Sequence, residues 1–297
     1  MPKLPNQKST ITIIGLGRLG TALAIALSQK QYPIATLVSR RRRTLERAAR
    51  LLDTDVRLLV AKDIKRLQSS DITLITTPDD QLPQVVRNLS KLKSTAGSIA
   101  LHTSGALSSQ ALSPLGDQGW HVGSVHPLIS VSGSEAATSA FKGAFWCVEG
   151  DRKALTAARQ LVRDLNGQSF SIKAEVKPLY HAAAVMSSGG VTALFDVATD
   201  MLSKCGLTKR DARRILLPLL RSTVENLTSR SPAEALTGTF SRGDIGTVER
   251  HLAALSKSHL GMAESVYRLL GLKSLNLAEE NGLDPLISKR IQRLLKD

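Results

Sequence analysis

A mostly parallel, doubly wound α/β sheet over residues 1–172, followed by an all-helical part over 173–297, is the fold class this 297-residue chain predicts. Three observations predict it. The run Ile11-Thr-Ile-Ile-Gly15-Leu16-Gly17-Arg18-Leu19-Gly20 passes from strand-forming residues through GxGxxG into the helix-forming stretch 21–27. Short, almost continuous apolar runs then alternate with helical patterns as far as residue 172, as parallel strands buried on both faces do. From residue 174 onward, alanine- and leucine-rich amphipathic runs replace the β-type segments.

The first turn carries a dinucleotide-binding fingerprint. Gly15 permits the tight exit from the strand, Gly17 lets backbone approach a pyrophosphate, and Gly20 lets helix pack closely on strand. The helix that follows presents free N–H groups and partial positive charge to the phosphates. Leu16, Leu19 and Arg18 sit inside this turn, and Arg18 is a candidate phosphate contact.

Pro33-Ile-Ala-Thr-Leu-Val38 reads as the second strand and ends in Ser39-Arg40-Arg41-Arg42-Arg43. An acidic residue here would accept hydrogen bonds from ribose hydroxyls, whereas arginine accommodates a 2′-phosphate. No Asp or Glu occurs before Glu46, so the expected cofactor is NADP(H), with Ser39, Arg40 and Arg41 as contacts. Arg42 and Arg43 read as a solvated helix start.

A helix over 44–53, a short strand near 56–60 and a strand over 71–77 come next. The last delivers Thr77-Pro78 to the carboxyl ends of the strands, where open α/β sheets bind ligands, and Asp79 reads as the cap of a helix over 80–89. Strands over 98–101 and 120–125 bring His102-Thr103-Ser104-Gly105 and His126-Pro127 to the same rim, while His121 reads as structural. Strands over 145–148 and 169–172 flank a helix over 151–165, giving a sheet of about eight strands. Helices near 175–203, 208–228, 247–255, 258–271 and 285–296 complete the chain, with a cleft expected between the two parts.

The formal net charge is +15. Residues 1–172 hold 22 Lys/Arg against 12 Asp/Glu, and residues 173–297 hold 18 against 13, so the excess lies mostly in the nucleotide-binding part. Aromatic residues make up only 3%, and no base-reading motif accompanies the charge, which argues against nucleic acid as a partner. Cys147 and Cys205 have no metal-ligand spacing and read as buried thiols; no metal is expected. No run approaches about 18 uninterrupted apolar residues and Met1–Lys8 lacks the apolar region of a signal peptide, so the expectation is a cytoplasmic protein without a membrane span.

Several separated motifs carry a resemblance. His102-Thr-Ser-Gly105, Val125-His-Pro127, Lys177-Pro-Leu-Tyr180-His181-Ala-Ala-Ala184, and Thr237-Gly-Thr-Phe-Ser-Arg242-Gly243-Asp244 with Thr247 and His251 resemble the Rossmann-like family bearing the domain of unknown function 2520. That family is similar to pyrroline-5-carboxylate reductase, ketopantoate reductase and 6-phosphogluconate dehydrogenase, and the resemblance spans roughly residues 10–255. It implies a Rossmann domain joined to a helical domain of the 6-phosphogluconate dehydrogenase type, and a homodimer. In related β-hydroxyacid dehydrogenases a lysine and, four residues later, an asparagine line the substrate cleft; Lys177 and His181 have this spacing, which puts both on one helix face. His replaces the asparagine here, and Gly189 stands where many members have another. The candidate proton donors are Lys177 and His181, which the resemblance implies, and His126 and His102, which stand at successive strand ends; Ser104 and Arg242 are candidate substrate contacts, with Ser104 also near the cofactor. The expected activity is NADPH-dependent reduction of a small acidic oxo or imino compound, ketopantoate included. A non-catalytic NADP-binding sensor is the alternative.

Overall fold

The computed structural model describes residues 8–52, 55–92, 97–131, 139 and 141–296. The first seven residues, read above for a leader, and residue 53, the expected end of a helix, lie outside them. The described chain forms two compact units, 1–185 and 186–297. The sequence divides it at 172/173; the units meet later because the helix opening at Lys177 is counted with the sheet.

In the first unit, eight strands among the described residues form one sheet: β1 (Ile11–Ile14), β2 (Ile34–Ser39), β3 (Arg57–Val60), β4 (Ile72–Ile75), β5 (Ile99–His102), β6 (His121–Pro127), β7 (Phe145–Gly150) and β8 (Gln168–Phe170). Their order is β3-β2-β1-β4-β5-β6-β7-β8. All neighbours run parallel except β6 and β7, which are antiparallel. The chain leaves β1 for β2 on one side and returns to β4 on the other, making the switch point at which open α/β sheets form a crevice.

Every side chain of β1 and β4 is buried, as Ile-rich strands covered on both faces must be. One face packs Leu23 and Leu27 of α1 (Arg18–Gln29) and Leu161 of α4 (Arg152–Asp164) against Ile11, Ile13 and Trp146. The other packs Leu82, Val86 and Leu89 of α3 (Leu82–Leu89) with Leu112, Leu115 and Trp120 against Ile14 and Ile75. Helix α2 (Arg42–Ala49) buries only Leu45 and Ala48. Helix α4 begins at Asp151, whose carboxylate accepts from the Lys153 and Ala154 N–H groups. Asp79 does not cap α3; its carboxylate accepts a hydrogen bond from Ser104 instead.

Helix α5 (Lys177–Val185) closes the first unit, and α6 (Val191–Lys204) opens the second after a π-helical turn over Met186–Gly190. Ser187-Ser-Gly-Gly190 has weak helix propensity, which accounts for the wide turn inside the single helix expected from the sequence. The run Ala174–Lys204 is nonetheless 31 helical residues long, with a window of mean hydropathy 1.3 that is 6% buried. By length and composition alone it is long and apolar enough to cross a membrane, a measure that averages over the helix, whereas the expectation above rested on uninterrupted apolar runs. Its first part, however, holds Lys177, which is fully buried against the sheet.

The second unit continues with α7 (Lys209–Ser229), which runs unbroken through Pro218, α8 (Ile245–Lys257), α9 (Gly261–Glu280) and α10 (Pro285–Lys296). Its core is small: Val248, Leu252, Leu275, Ile291 and Leu295. Cys147 is buried, but Cys205, at the end of α6, is exposed rather than buried.

Candidate active site

At the switch point a cavity of about 780 Å³ is walled by the β1–α1 turn, Ser39, Arg40 and Arg41 after β2, and Thr77-Pro78 after β4. Gly15 has φ +102°, and a Cβ there would collide with backbone of Thr76 and Thr77. A Cβ on Gly20 would strike the Gly15 carbonyl and Thr76 Oγ1. Gly17, by contrast, faces open space within the cavity wall. The first and third glycines therefore serve packing, and the second leaves backbone bare toward a ligand. Helix α1 starts there with no acidic residue in its first turn and no side-chain cap, leaving its N–H groups for an anion. Thr77 Oγ1, on the same wall, is buried and has no hydrogen-bond partner among the described residues. These features fit a dinucleotide phosphate. Leu16, Arg18 and Leu19 also line the cavity; Gly20 and Ser104 do not. Thr44, Gln81, Gln84 and Asn88 line it as well and escaped the sequence reading.

The cavity extends to Thr103 in the loop after β5. Beside that loop the sheet register brings polar groups together. His102 pairs with Ser124 on β6, and Ser124 with Glu149 on β7; two residues along, His126 pairs with Cys147. Residues two apart on a strand share a face, so Ser124 and His126 stand beside Glu149 and Cys147. Helix α5 meets this group with Lys177, Tyr180 and His181, three and four residues apart.

Lys177 is wholly buried. Its Nζ donates to Ser124 Oγ and to the Ser104 carbonyl (3.3 Å), and lies 3.6 Å from Glu149 Oε1. Burial pulls its pKa down, opposed chiefly by the Glu149 charge. Glu149 accepts from the Ser109 N–H (2.6 Å) and the Ser109 hydroxyl (2.8 Å). His102 is also buried: Ser104 N–H donates to its Nδ1 (3.2 Å), and Nε2 faces the Ser108 carbonyl (3.0 Å). Burial takes its pKa down to about 4, so it is a neutral brace of the loop at pH 7. The Ser104 hydroxyl is likewise engaged, donating to Asp79 and accepting from the Ala106 and Leu107 N–H groups.

His126 and His181 face each other edge to face, their ring centroids 5.4 Å apart. A Cβ on Gly105 would meet both His181 Nδ1 and His126 Nε2; the glycine leaves room for them. His126 Nδ1 bonds the Tyr180 hydroxyl at 2.7 Å, which also bonds Cys147. Burial, then the charges of His181 and Lys177, lower the His126 pKa to about 4. Burial raises those of Tyr180 and Cys147. His181 Nδ1 is buried and has no hydrogen-bond partner among the described residues. Gly189 lies in the π-turn with nothing near its missing side chain. Arg242 belongs to the second unit, where it is exposed and bonds Asp244 at 2.7 and 3.0 Å; Asp244 opens α8 without a side-chain cap.

The description "Domain of unknown function (DUF2520)" matches residues 144–296, and "Rossmann-like domain" matches residues 3–127. The chain belongs to the DUF2520 family. No curated protein matches it. Among solved structures, BF3122 of Bacteroides fragilis, provisionally named an NADP oxidoreductase, shares 20% identity over 91% of this chain and 98% of its own, with TM-score 0.74. Protein TM1727 of Thermotoga maritima shares 22% over 91% and 99%, TM-score 0.70. The reductive aminase of Aspergillus terreus, solved with NADPH and ethyl levulinate, shares 18% over 97% and 99%, TM-score 0.63. This DUF2520 chain thus shares its fold with NADP oxidoreductases.

Proposed function

We propose that the chain is an NADPH-dependent oxidoreductase that reduces the C=O or C=N bond of a small oxo or imino acid, working as a cytoplasmic homodimer. The observation that carries the reading is the continuity of the cavity, from the glycine turn and Ser39–Arg41 to Thr103, beside the loop on which His126 and His181 converge. Bound there, a reduced nicotinamide would supply hydride to the substrate carbon. Arg40 and Arg41 would hold the 2′-phosphate, and the start of α1 the pyrophosphate. His181, with a ring nitrogen that has no hydrogen-bond partner among the described residues, would furnish the proton to the substrate oxygen or nitrogen, while His126, held by Tyr180 and neutral at pH 7, would orient that atom by a hydrogen bond. His102 and the Ser104 hydroxyl brace the loop in this reading. Both compound classes in the notional substrate range share one demand, a hydrogen-bond donor at the heteroatom where charge develops.

The test is spectrophotometric: oxidation of NADPH in the presence of 2-oxo acids, ketopantoate and cyclic imines. Arg40→Ala is expected to weaken NADPH at least tenfold while leaving NADH unchanged, since a charge-assisted hydrogen bond contributes roughly 1.5–3 kcal/mol. Equal loss for both cofactors would remove the assignment of Arg40 to the 2′-phosphate.

A further inference from the structure

Glu149 is a buried acid for which the reduction itself names no task. It stands on β7, opposite Ser124 and 8% exposed, with both carboxylate oxygens bonded to Ser109. The same carboxylate faces Lys177, which has no solvent exposure. An ammonium has three N–H donors. Ser124 Oγ and the Ser104 carbonyl receive two, and Glu149 Oε1 stands at ion-pair distance for the third. A lysine so enclosed has no N–H left for a substrate. Its contacts reach the loop twice: directly at Ser104, and through Glu149 at Ser109, so the pair ties down both ends of the segment that carries Gly105.

We propose that Glu149 is a positioning residue, which keeps Lys177 a permanently charged ammonium that clamps the 104–109 loop beneath His126 and His181 and does not itself give up a proton. The inference rests on the reductase reading only for its kinetic consequence; the charge state belongs to the protein alone. A buried pair that loses one member leaves the other charge uncompensated, so the lysine would shed its proton once the carboxylate is gone. The ionisable groups around Lys177 are Glu149 and Cys147 on β7, His126 on β6, His102 on β5, Asp79 after β4, and Tyr180 and His181 on its own helix. Of these, Glu149 is the carboxylate in ion-pair contact with Lys177.

The experiment follows the lysine by NMR, with lysine labelled at the carbon bearing the amine and Lys177→Met used to assign its signal, on the full chain without cofactor. The wild-type ammonium is expected to persist throughout pH 6–9. In Glu149→Gln, which keeps the side chain's size, its titration midpoint should fall by more than one pH unit. Circular dichroism checks that the variant is folded, and should it not fold, Ser124→Ala serves instead, removing one hydrogen bond and lowering the midpoint less. Kinetically, NADPH turnover by Glu149→Gln should decline as pH rises through the new midpoint, with KM for NADPH unchanged. A wild-type lysine that deprotonates near neutrality, or a folded Glu149→Gln whose Lys177 titrates as in the wild type, overturns the proposal. Absence of turnover with every substrate would count against the reductase reading and leave the NMR result standing.

Discussion

The histidines at the sheet rim illustrate how one side-chain type takes different roles from its surroundings. His102 uses both ring nitrogens on its own loop, whereas His181 Nδ1 has no partner among the described residues. The buried, neutral His102 also makes stability depend on pH. Its folded pKa of about 4 lies below the ordinary histidine value of 6.5, so between these values the unfolded chain binds more protons and stability falls as pH is lowered. His126 acts in the same sense and window. From pH 7 to 4.5 the loss through His102 alone should be on the order of 3 kcal/mol. Urea unfolding at the two pH values measures it, and His102→Gln should flatten the dependence; an unchanged slope in that variant would assign the effect elsewhere.

The β1–α1 turn separates glycines that build the fold from the one that serves a ligand. Gly20→Ala forces a methyl onto the Gly15 carbonyl and Thr76, and should cost about 1–3 kcal/mol, the usual range for overpacking. Gly17→Ala meets nothing within 4 Å and should leave thermal stability nearly unchanged while weakening NADPH binding, as titration calorimetry would reveal; unaltered binding would argue against phosphate contact at this turn. This turn was fully legible in the sequence, because strand, glycines and helix lie consecutively and each local signal agrees with the next. Lys177 and His181 were singled out through the family resemblance, and their spacing of four placed both on one helix face. Glu149 and Ser124 were not: they are 25 residues apart and meet only through the β6–β7 register, which leaves no local periodic trace. A carboxylate directly after the apolar Phe145–Val148 run, still within the strand, was the available signal. The π-turn at 186–190 was missed for the opposite reason, since apolar periodicity continues across it on both sides.

At the scale of the whole molecule, the second unit leaves much of its apolar surface in water. On α7, Ile215, Leu219, Val224 and Leu227 are all at least half exposed, and Met262 and Leu269 on α9 are about 70% exposed. Isolated exposed leucines are ordinary, but a concentration of this kind marks a surface suited to a partner. The proposed homodimer would cover it. Sedimentation analysis should give twice the chain mass, 31.9 kDa, and Leu219→Glu should shift the equilibrium toward monomer; a wild-type protein that sediments as a monomer at micromolar concentration would contradict the assembly. Arg242, exposed in the same unit, is paired with Asp244.

The polar row on the sheet is covered by α5, the last element of the first unit. During synthesis the strands bearing His102, Ser124 and Glu149 therefore leave the ribosome well before Lys177, Tyr180 and His181. Until those arrive, an uncompensated carboxylate and several unpaired polar groups face a surface that will later be dry. The rim can close only once the chain beyond β8 is available, so a nascent chain whose emerged part ends between residues 171 and 176 would hold all eight strands and an unfinished site.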